Sequence, residues 1–543
     1  VIHNSKFLAD KVFLGGRVIT MEDPLAARPL DLAVADGRIL SLTDPGGLSG
    51  LIGPQTETFN VSGKTLMPGL VDSHQHLVRF GWNLESVDLS PAKVKNMAQL
   101  VSRLHRAAEK KPAGSWIFGW GYDHYQLEEG RHPTRQDLDR ACPDHPVCLM
   151  RTCLHLMVVN SLALSLADIT GATEDPEGGR IVRDPSGVPN GILLEKSAME
   201  LVDQVIPAPS SDDCARFLAA ASKVLVGQGV TLTYEAGAGW WGNPNEAAGF
   251  QKAWQAGELA VPVCLGLKED TYRLFPDEGG LGLFTGFGGD GLWIGSAKFV
   301  TDGGIGQQTA AVNEPFCNTG TKGILCQSYE NLVKRMEKAH LAGFQIAVHA
   351  VGDRSLEMVV RAYRNILSRF PKSHRHRIEH ATICPPELVP QIRRLGLSVV
   401  VNPAFIYYLG DSWIEPLGRE RIEITIPIRR MLDQGLMVAG GSDRPVTEGN
   451  PWTGIWNAVQ RTTLSGRKFS PAQEISVQEA LKLYTINGAY VNYAEDRTGT
   501  LTPGKQADLI VLDRNPLDTA AADLKNIRVE MTLIKGRKVF QAD

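Results

Sequence analysis

Hydrophobic and polar positions divide the chain into stretches of different rhythm. Residues 11–62 read as short strands separated by turns, at 11–14, 17–21, 32–35 and 38–42, with Asp36-Gly37 as a hairpin signal. The far C-terminus reads the same way, with strands at 508–512 and 529–534 before the turn Lys535-Gly536. Because chain termini usually lie close together on a domain surface, the two ends (1–65 and 495–543) are expected to build one small discontinuous β-domain.

Between them, short and nearly continuous apolar runs alternate with amphipathic stretches, the pattern of a parallel sheet covered by helices. Strands are expected at 66–71, 230–234, 261–267, 292–300, 345–349, 377–380, 397–401 and 436–439, which is eight. Helices are expected at 212–226, 329–342, 354–370, 386–395 and 452–461. Gly343 and Gly396 stand where a helix C-cap precedes the next strand. A later helix opens on the capping-box pair Ser476 and Glu479 and is expected to close near Gly488. Eight such units are the count of an α/β barrel of the TIM type, here spanning 66–494. One stretch breaks the rhythm: from about 80 to 215 the chain is too long for one βα connection, so an inserted lid is expected there, covering the site and shaping substrate choice.

Six residues of metal-binding type lie at or near C-terminal ends of these strands: His74 and His76 in Asp72-Ser-His-Gln-His-Leu77, Lys298, His349, His380 and Asp443. His349 and His380 are 31 residues apart, about one βα unit, and His380 and Asp443 are 63 apart, about two. This places them on strands five, six and eight. C-terminal strand ends converge in such a barrel, so residues far apart in sequence can surround one ion. Strand periodicity lets His74 and His76 face the same side. Neutral imidazoles and a carboxylate suit zinc and related divalent ions. Lys298 sits in an apolar strand, where burial favours the neutral amine. Such an amine either adds carbon dioxide, giving a carbamate that can bridge two metals, or anchors a substrate carboxylate. The structural alternative for each residue alone is ordinary packing, or an N-cap in the case of Asp443.

The 543 residues are 43% hydrophobic and 21% charged, ordinary globular usage, and a formal charge of −4 with no dense basic cluster argues against nucleic acid as a partner. No apolar run approaches a membrane span, and 397–409 is interrupted by Asn402 and Pro403. Eight scattered cysteines without a CxxC pair read as buried free thiols in a reducing compartment, so a cytoplasmic location is expected. The glycine runs 279–282 and 286–291 lack a following helix to receive a phosphate and read as a loop before strand four, whereas Gly303-Gly-Ile-Gly306 lets backbone approach the site. His105, His124, His132, His145, His340, His374 and His376 lack ligand spacing and read as packing or surface residues.

On Met67-Pro-Gly-Leu-Val-Asp-Ser-His-Gln-His76, Ala297-Lys-Phe-Val-Thr-Asp-Gly303, Val348-His-Ala-Val-Gly-Asp353, Arg377-Ile-Glu-His-Ala381, Gly441-Ser-Asp-Arg-Pro-Val446 and the stretch 498–512, the chain resembles the amidohydrolase superfamily. Within it, Trp116-Ile-Phe-Gly-Trp-Gly-Tyr122 and Val159-Asn-Ser-Leu-Ala-Leu164 resemble the YtcJ-like branch, which includes N-substituted formamide deformylases. The resemblance implies a metal-dependent hydrolase with a (β/α)8 barrel and a terminal β-sandwich. It also implies that His74, His76 and Asp443 hold one metal, that His349 and His380 hold a second, and that carboxylated Lys298 bridges them. His155 falls where the branch often has a histidine, although Thr152-Cys-Leu154 departs from the commoner polar pattern.

The expected chemistry is attack of metal-activated hydroxide on a carbonyl, with Asp443 as general base and then acid, cleaving a C–N bond. Trp120, Tyr122, Trp240, Trp241, Phe316, Tyr407 and Tyr408 could line an apolar pocket, and Arg444 could meet a carboxylate, so a hydrophobic or aromatic N-substituted amide is the expected small-molecule substrate. Ester or lactone hydrolysis, deamination, or a non-catalytic regulatory barrel are the alternatives. The barrel's size is compatible with a homodimer.

Overall fold

The computed structural model describes residues 8–543 except 92, 152–155, 177–178, 240–242 and 307. His155, Trp240 and Trp241 therefore lie outside the described residues. The chain divides into two compact units, one of residues up to 78 with 218–543 and one of 79–217.

In the first unit eight parallel strands pair in chain order. They are β1 (Leu70–Gln75), β2 (Val230–Ala238), β3 (Val263–Lys268), β4 (Leu292–Val300), β5 (Gln345–Ala350), β6 (Arg377–His380), β7 (Ser398–Val401) and β8 (Met437–Gly440). The last lies against the first, which nearly closes a barrel. Just past the strands the seam is tied by backbone bonds: Asp443 N–H donates to His74 O at 2.6 Å and His76 N–H to Arg444 O at 2.8 Å. After β4 to β8 come α1 (Tyr329–Leu341), α2 (Asp353–Arg369), α3 (Val389–Arg394), α4 (Ala404–Ile422), α5 (Pro451–Gln460), α6 (Val477–Leu483) and α7 (Ile486–Val491). The spacing of Leu356, Val359, Val360 and Tyr363 gives α2 one buried face. Gly343 and Gly396 follow α1 and α3 at φ +93° and +67°, a left-handed conformation glycine adopts without penalty.

Two boundaries differ from the pattern-based expectation. The apolar run 66–71 is two strands, because Thr65–Pro68 pairs antiparallel with Leu509–Leu512 in a terminal sheet and β1 begins only at Leu70. Gly69 makes the switch: a Cβ there would lie 2.0 Å from Thr231 Oγ1. His74 consequently stands inside a strand. The capping box of Ser476 and Glu479 is present, but its helix ends at Leu483, where Thr485 leaves helical geometry, and Gly488 lies inside α7, where a Cβ would come 2.7 Å from Val71 Cβ.

The chain ends form two sheets. One orders Arg38–Thr43, Asp31–Ala35, Lys11–Leu14 and Glu57–Asn60, with Asp36-Gly37 in left-handed conformation at its hairpin. The other mixes both termini, with Val529–Ile534 and Leu509–Leu512 beside Thr65–Pro68 and Arg17–Ile19. Phe13, Leu32, Leu66, Leu509 and Leu533 share their core. The unit of 79–217 has its own six-stranded mixed sheet and a core that includes Leu100, Leu138, Leu149 and Val158. No helix among the described residues is long and apolar enough to cross a membrane. The described cysteines are free thiols; five are buried, while Cys317 and Cys326 are exposed in the long connection after β4, contrary to the expectation of burial.

Candidate metal centre

The side chains of His74 on β1 and of His76, one residue past its end, emerge on one side, as the strand's period of two continued to His76 requires. Asp443 meets them from the turn after β8. Its Oδ1 is 3.4 Å from Nε2 of His74 and 3.3 Å from Nε2 of His76, and the three ligand atoms lie within 4.8 Å of one another. The approach needs Gly441, since a Cβ there would sit 2.6 Å from His74 Cβ. Asp443 itself is held at φ +54°, a sparsely populated conformation that persists only where surroundings impose it.

His380 ends β6, and its ring centroid is 4.6 Å from those of both His74 and His349. At φ +71° it breaks the alternation of the strand, so that the adjacent Glu379 and His380 both reach His74. Asn402 Nδ2 donates to Gly441 O at 3.1 Å, which turns its Oδ1 toward His380 Nδ1 at 2.7 Å. The His380 proton therefore sits on Nδ1, leaving Nε2 as the lone-pair atom. His349 on β5 approaches Gly303 O through Nε2 at 3.4 Å, the close backbone approach expected of the glycine run 303–306. Lys298 on β4 is 1% exposed.

Burial opposes charge at Lys298, His380, His349, His76 and Asp443; it prevails at the first three and is outweighed by neighbours at the last two. It lowers the Lys298 ammonium to about 8, with Glu379 and Asp443 acting in the opposite direction. It lowers His380 to about 3, reinforced by His74, and His349 well below the usual imidazole value, reinforced by His380 and Lys298. For His76 burial is outweighed by the facing carboxylates of Asp443 and Glu235, which raise it to about 9, and for Asp443 it is outweighed by the histidines, which hold the carboxyl well below its ordinary value.

This donor set fits a divalent cation. Among the described residues no donor meets the buried Asp443 Oδ1 in bonding geometry, and it shares its surroundings with imidazole Nε2 atoms. Mutually facing acceptors of this kind are stabilised by a cation among them, and nitrogen with carboxylate oxygen is the ligand mixture zinc accepts.

The pattern of the Amidohydrolase family matches residues 57–540. The chain belongs to this family. This amidohydrolase is 32% identical to the YtcJ protein of Bacillus subtilis (strain 168), with 90% of this chain and 91% of that one covered. It is 28% identical to the N-substituted formamide deformylase of Arthrobacter pascens, with 93% of each covered. A crystal structure of a metal-dependent hydrolase from Pyrococcus horikoshii OT3 superposes with a TM-score of 0.78 at 27% identity, covering 94% of this chain and 99% of that one. The protein is thus a metal-dependent amidohydrolase, a hydrolase of C–N bonds on a TIM-like barrel.

In this amidohydrolase His349 and His380 lie on β5 and β6 and Asp443 just past β8, as βα spacing assigned, while His74 and His76 stand at the end of β1 and Lys298 on β4. The expected substrate contacts fare differently. Arg444 is 1% exposed, and its guanidinium donates to Glu448 O at 2.7 Å and Gln228 Oε1 at 2.8 Å. Gln228 precedes the N-terminal end of β2, so the cation points away from the ligand end of the barrel, and the expected carboxylate contact is corrected. Tyr122, fully buried in the 79–217 unit, has its hydroxyl on His132 Nδ1 at 3.2 Å and is a packing residue, whereas Trp120 in the same strand is 37% exposed. Phe316 is buried against the Arg421 guanidinium, also as packing. Tyr407 on α4 is half-buried and meets Trp456 edge-on, with ring centroids 5.2 Å apart. Phe405, which pattern reading passed over, lies nearly parallel to the His380 ring at 5.9 Å.

Sequence reading also missed the acids behind the histidines of this amidohydrolase. Glu379 accepts a short hydrogen bond from His74 Nδ1, and Glu235 Oε1 lies 3.4 Å from His76 Nδ1 while its Oε2 accepts Leu77 N–H at 2.7 Å. A signal existed in Arg377-Ile-Glu379: opposite charges two apart in a buried strand point the same way and must pair.

Proposed function

We propose that this amidohydrolase cleaves the C–N bond of a hydrophobic or aromatic N-substituted amide, with Asp443 moving the proton. The observation that carries the reading is the convergence of His74 Nε2, His76 Nε2 and Asp443 Oδ1 at the C-terminal end of the barrel. His74, His76 and Asp443 would hold one divalent ion, zinc being the best match to the ligands, and His349 and His380 a second. Lys298 supports the bridging role because its amine is buried and easily deprotonated. The neutral Nζ adds carbon dioxide with loss of one proton, and the carbamate offers two oxygens. A bound divalent cation supplies carbonyl polarisation and a more acidic water. Asp443, kept ionised, accepts a proton from the attacking water at its carboxylate and returns it to the departing nitrogen. His380 and His349, kept neutral by burial, retain lone pairs for ligation.

The apolar substrate is supported by the Phe405 ring beside His380 and by likeness to an N-substituted formamide deformylase. A reducing cytoplasm agrees with the free thiols. The test is metal analysis of protein prepared without chelator, followed by assay on amide, ester and deamination substrates before and after chelation. Zinc-dependent turnover of N-aryl or N-benzyl amides is expected. Turnover that survives complete removal of metal, or that is confined to esters or to deamination, refutes the reading.

A further inference from the structure

Barrel interiors are ordinarily filled by branched aliphatic side chains. Here the interior below the candidate centre holds a charged pair. Arg377 and Glu379 are both fully buried, and being two apart on β6 they project to one side. Arg377 Nε donates to Glu379 Oε1 at 2.5 Å and Nη2 to Oε2 at 3.1 Å, a two-point grip. The guanidinium is itself fixed on three more sides. Its Nη2 donates to Ser73 O at 2.6 Å and its Nη1 to Asn492 Oδ1 at 3.1 Å, and its Cζ lies 4.2 Å from the centre of the Tyr234 ring, whose hydroxyl bonds Ser296 Oγ at 2.6 Å. Oε2 of Glu379 also meets His74 Nδ1.

The hydrogens in this chain follow without ambiguity. Arginine offers only donors, so both oxygens of Glu379 accept and the group has no hydrogen to give. His74 must then carry its proton on Nδ1, and the lone pair falls on Nε2, the atom that faces Asp443. We propose that Glu379, gripped by Arg377, is the positioning residue that fixes the tautomer and ring orientation of His74 and so makes its Nε2 available to the cation. This rests on the reading of His74 as a ligand given above. A ligating histidine whose other ring nitrogen is held by a carboxylate is oriented and made more basic; what this chain adds is that the carboxylate is itself locked from inside the barrel.

The substitution Glu379→Gln separates position from shape. Its amide has one acceptor and one donor group, while Arg377 presents N–H groups to both places. Either way round, the NH2 faces an Arg377 N–H, so the two-point grip is broken and His74 Nδ1 loses its fixed acceptor. In full-length protein, zinc affinity measured by competition with a chromophoric chelator should fall by about 10- to 100-fold in Glu379→Gln, and Glu379→Asp, which restores the charge, should recover part of the loss. Equal zinc affinity in wild type and Glu379→Gln overturns the inference while leaving the metal centre standing. Absence of zinc binding by the wild type overturns the centre and the inference together. Should Glu379→Gln fail to fold, nitrogen-15 NMR of the wild-type apoprotein decides. The His74 resonances, assigned by their loss in His74→Asn, should show a protonated Nδ1 and bare Nε2, and the reverse assignment overturns the proposal.

Discussion

Asp72 on β1 and Ser442 after β8 clasp each other across the barrel seam: Ser442 N–H donates to Asp72 Oδ1 at 2.9 Å and its hydroxyl to Oδ2 at 2.6 Å. Burial raises the Asp72 carboxyl above its ordinary value, against the opposing effect of these bonds. The clasp sits one residue before Asp443 and two before His74, so it sets how closely the metal-binding ends of the two strands approach. Ser442→Ala leaves a buried carboxylate oxygen short of one donor, which costs about 1–3 kcal/mol. The expected result is a lower melting temperature together with weaker zinc binding, read by calorimetry and chelator competition. Unchanged values of both would mean that the seam is held by its backbone bonds alone.

Asp443→Asn keeps the size of the side chain and the backbone bond from Asp443 N–H to His74 O, but removes the proton acceptor. Turnover on the best amide of the panel should fall by about 10²- to 10⁴-fold, with the circular dichroism spectrum preserved. Near-normal turnover would refute the assignment of Asp443 as the proton carrier.

Lys298 gives a chemical prediction. If its neutral amine takes up carbon dioxide, protein equilibrated with carbon-13 bicarbonate should show a carbamate carbon resonance that is missing from Lys298→Ala. That variant should lose metal and activity, and a small carboxylate such as acetate or propionate should restore part of both. A wild-type spectrum without the resonance, in active enzyme, would assign Lys298 to substrate or packing.

The parts of the fold legible in sequence were those with a period. Strand and helix alternation located the eight barrel strands, and the spacing of His349, His380 and Asp443 put each on its proper strand. The parts that escaped depend on single contacts between distant segments. Nothing periodic marks Gly69 as the residue that lets the chain leave a terminal sheet for the barrel; only its collision with Thr231 does. The long reach of Arg444 past the strands to Gln228 likewise depends on a side-chain conformation that no local pattern encodes. Glu235 and Glu379 each look like one acid in a strand until the histidines they support are known.

The last prediction concerns acid stability. Ile346 N–H donates to His376 Nδ1 at 3.0 Å, so His376 must donate through Nε2 to His340 Nδ1, 2.8 Å away, and His340 in turn through its own Nε2 to Phe370 O at 2.8 Å. Each ring nitrogen has one role, and a second proton on either ring breaks a bond. Burial, with His374, His340 and Lys372 adding like charge, pushes His376 well below the usual imidazole value, and burial also lowers His340 despite its bond to Phe370 O. Unfolded imidazoles protonate near pH 6.5 while these stay neutral, so below that pH the unfolded chain binds more protons and stability falls as pH drops. The slope contributed is about 1.4 kcal/mol per pH unit for each fully affected histidine. His376→Asn, whose Oδ1 can accept from Ile346 and whose Nδ2 can donate to His340, should flatten the decline between pH 6.5 and 5 by about one proton, measured by urea unfolding across that range. A variant whose stability falls as steeply as the wild type would show that other groups govern the acid limb.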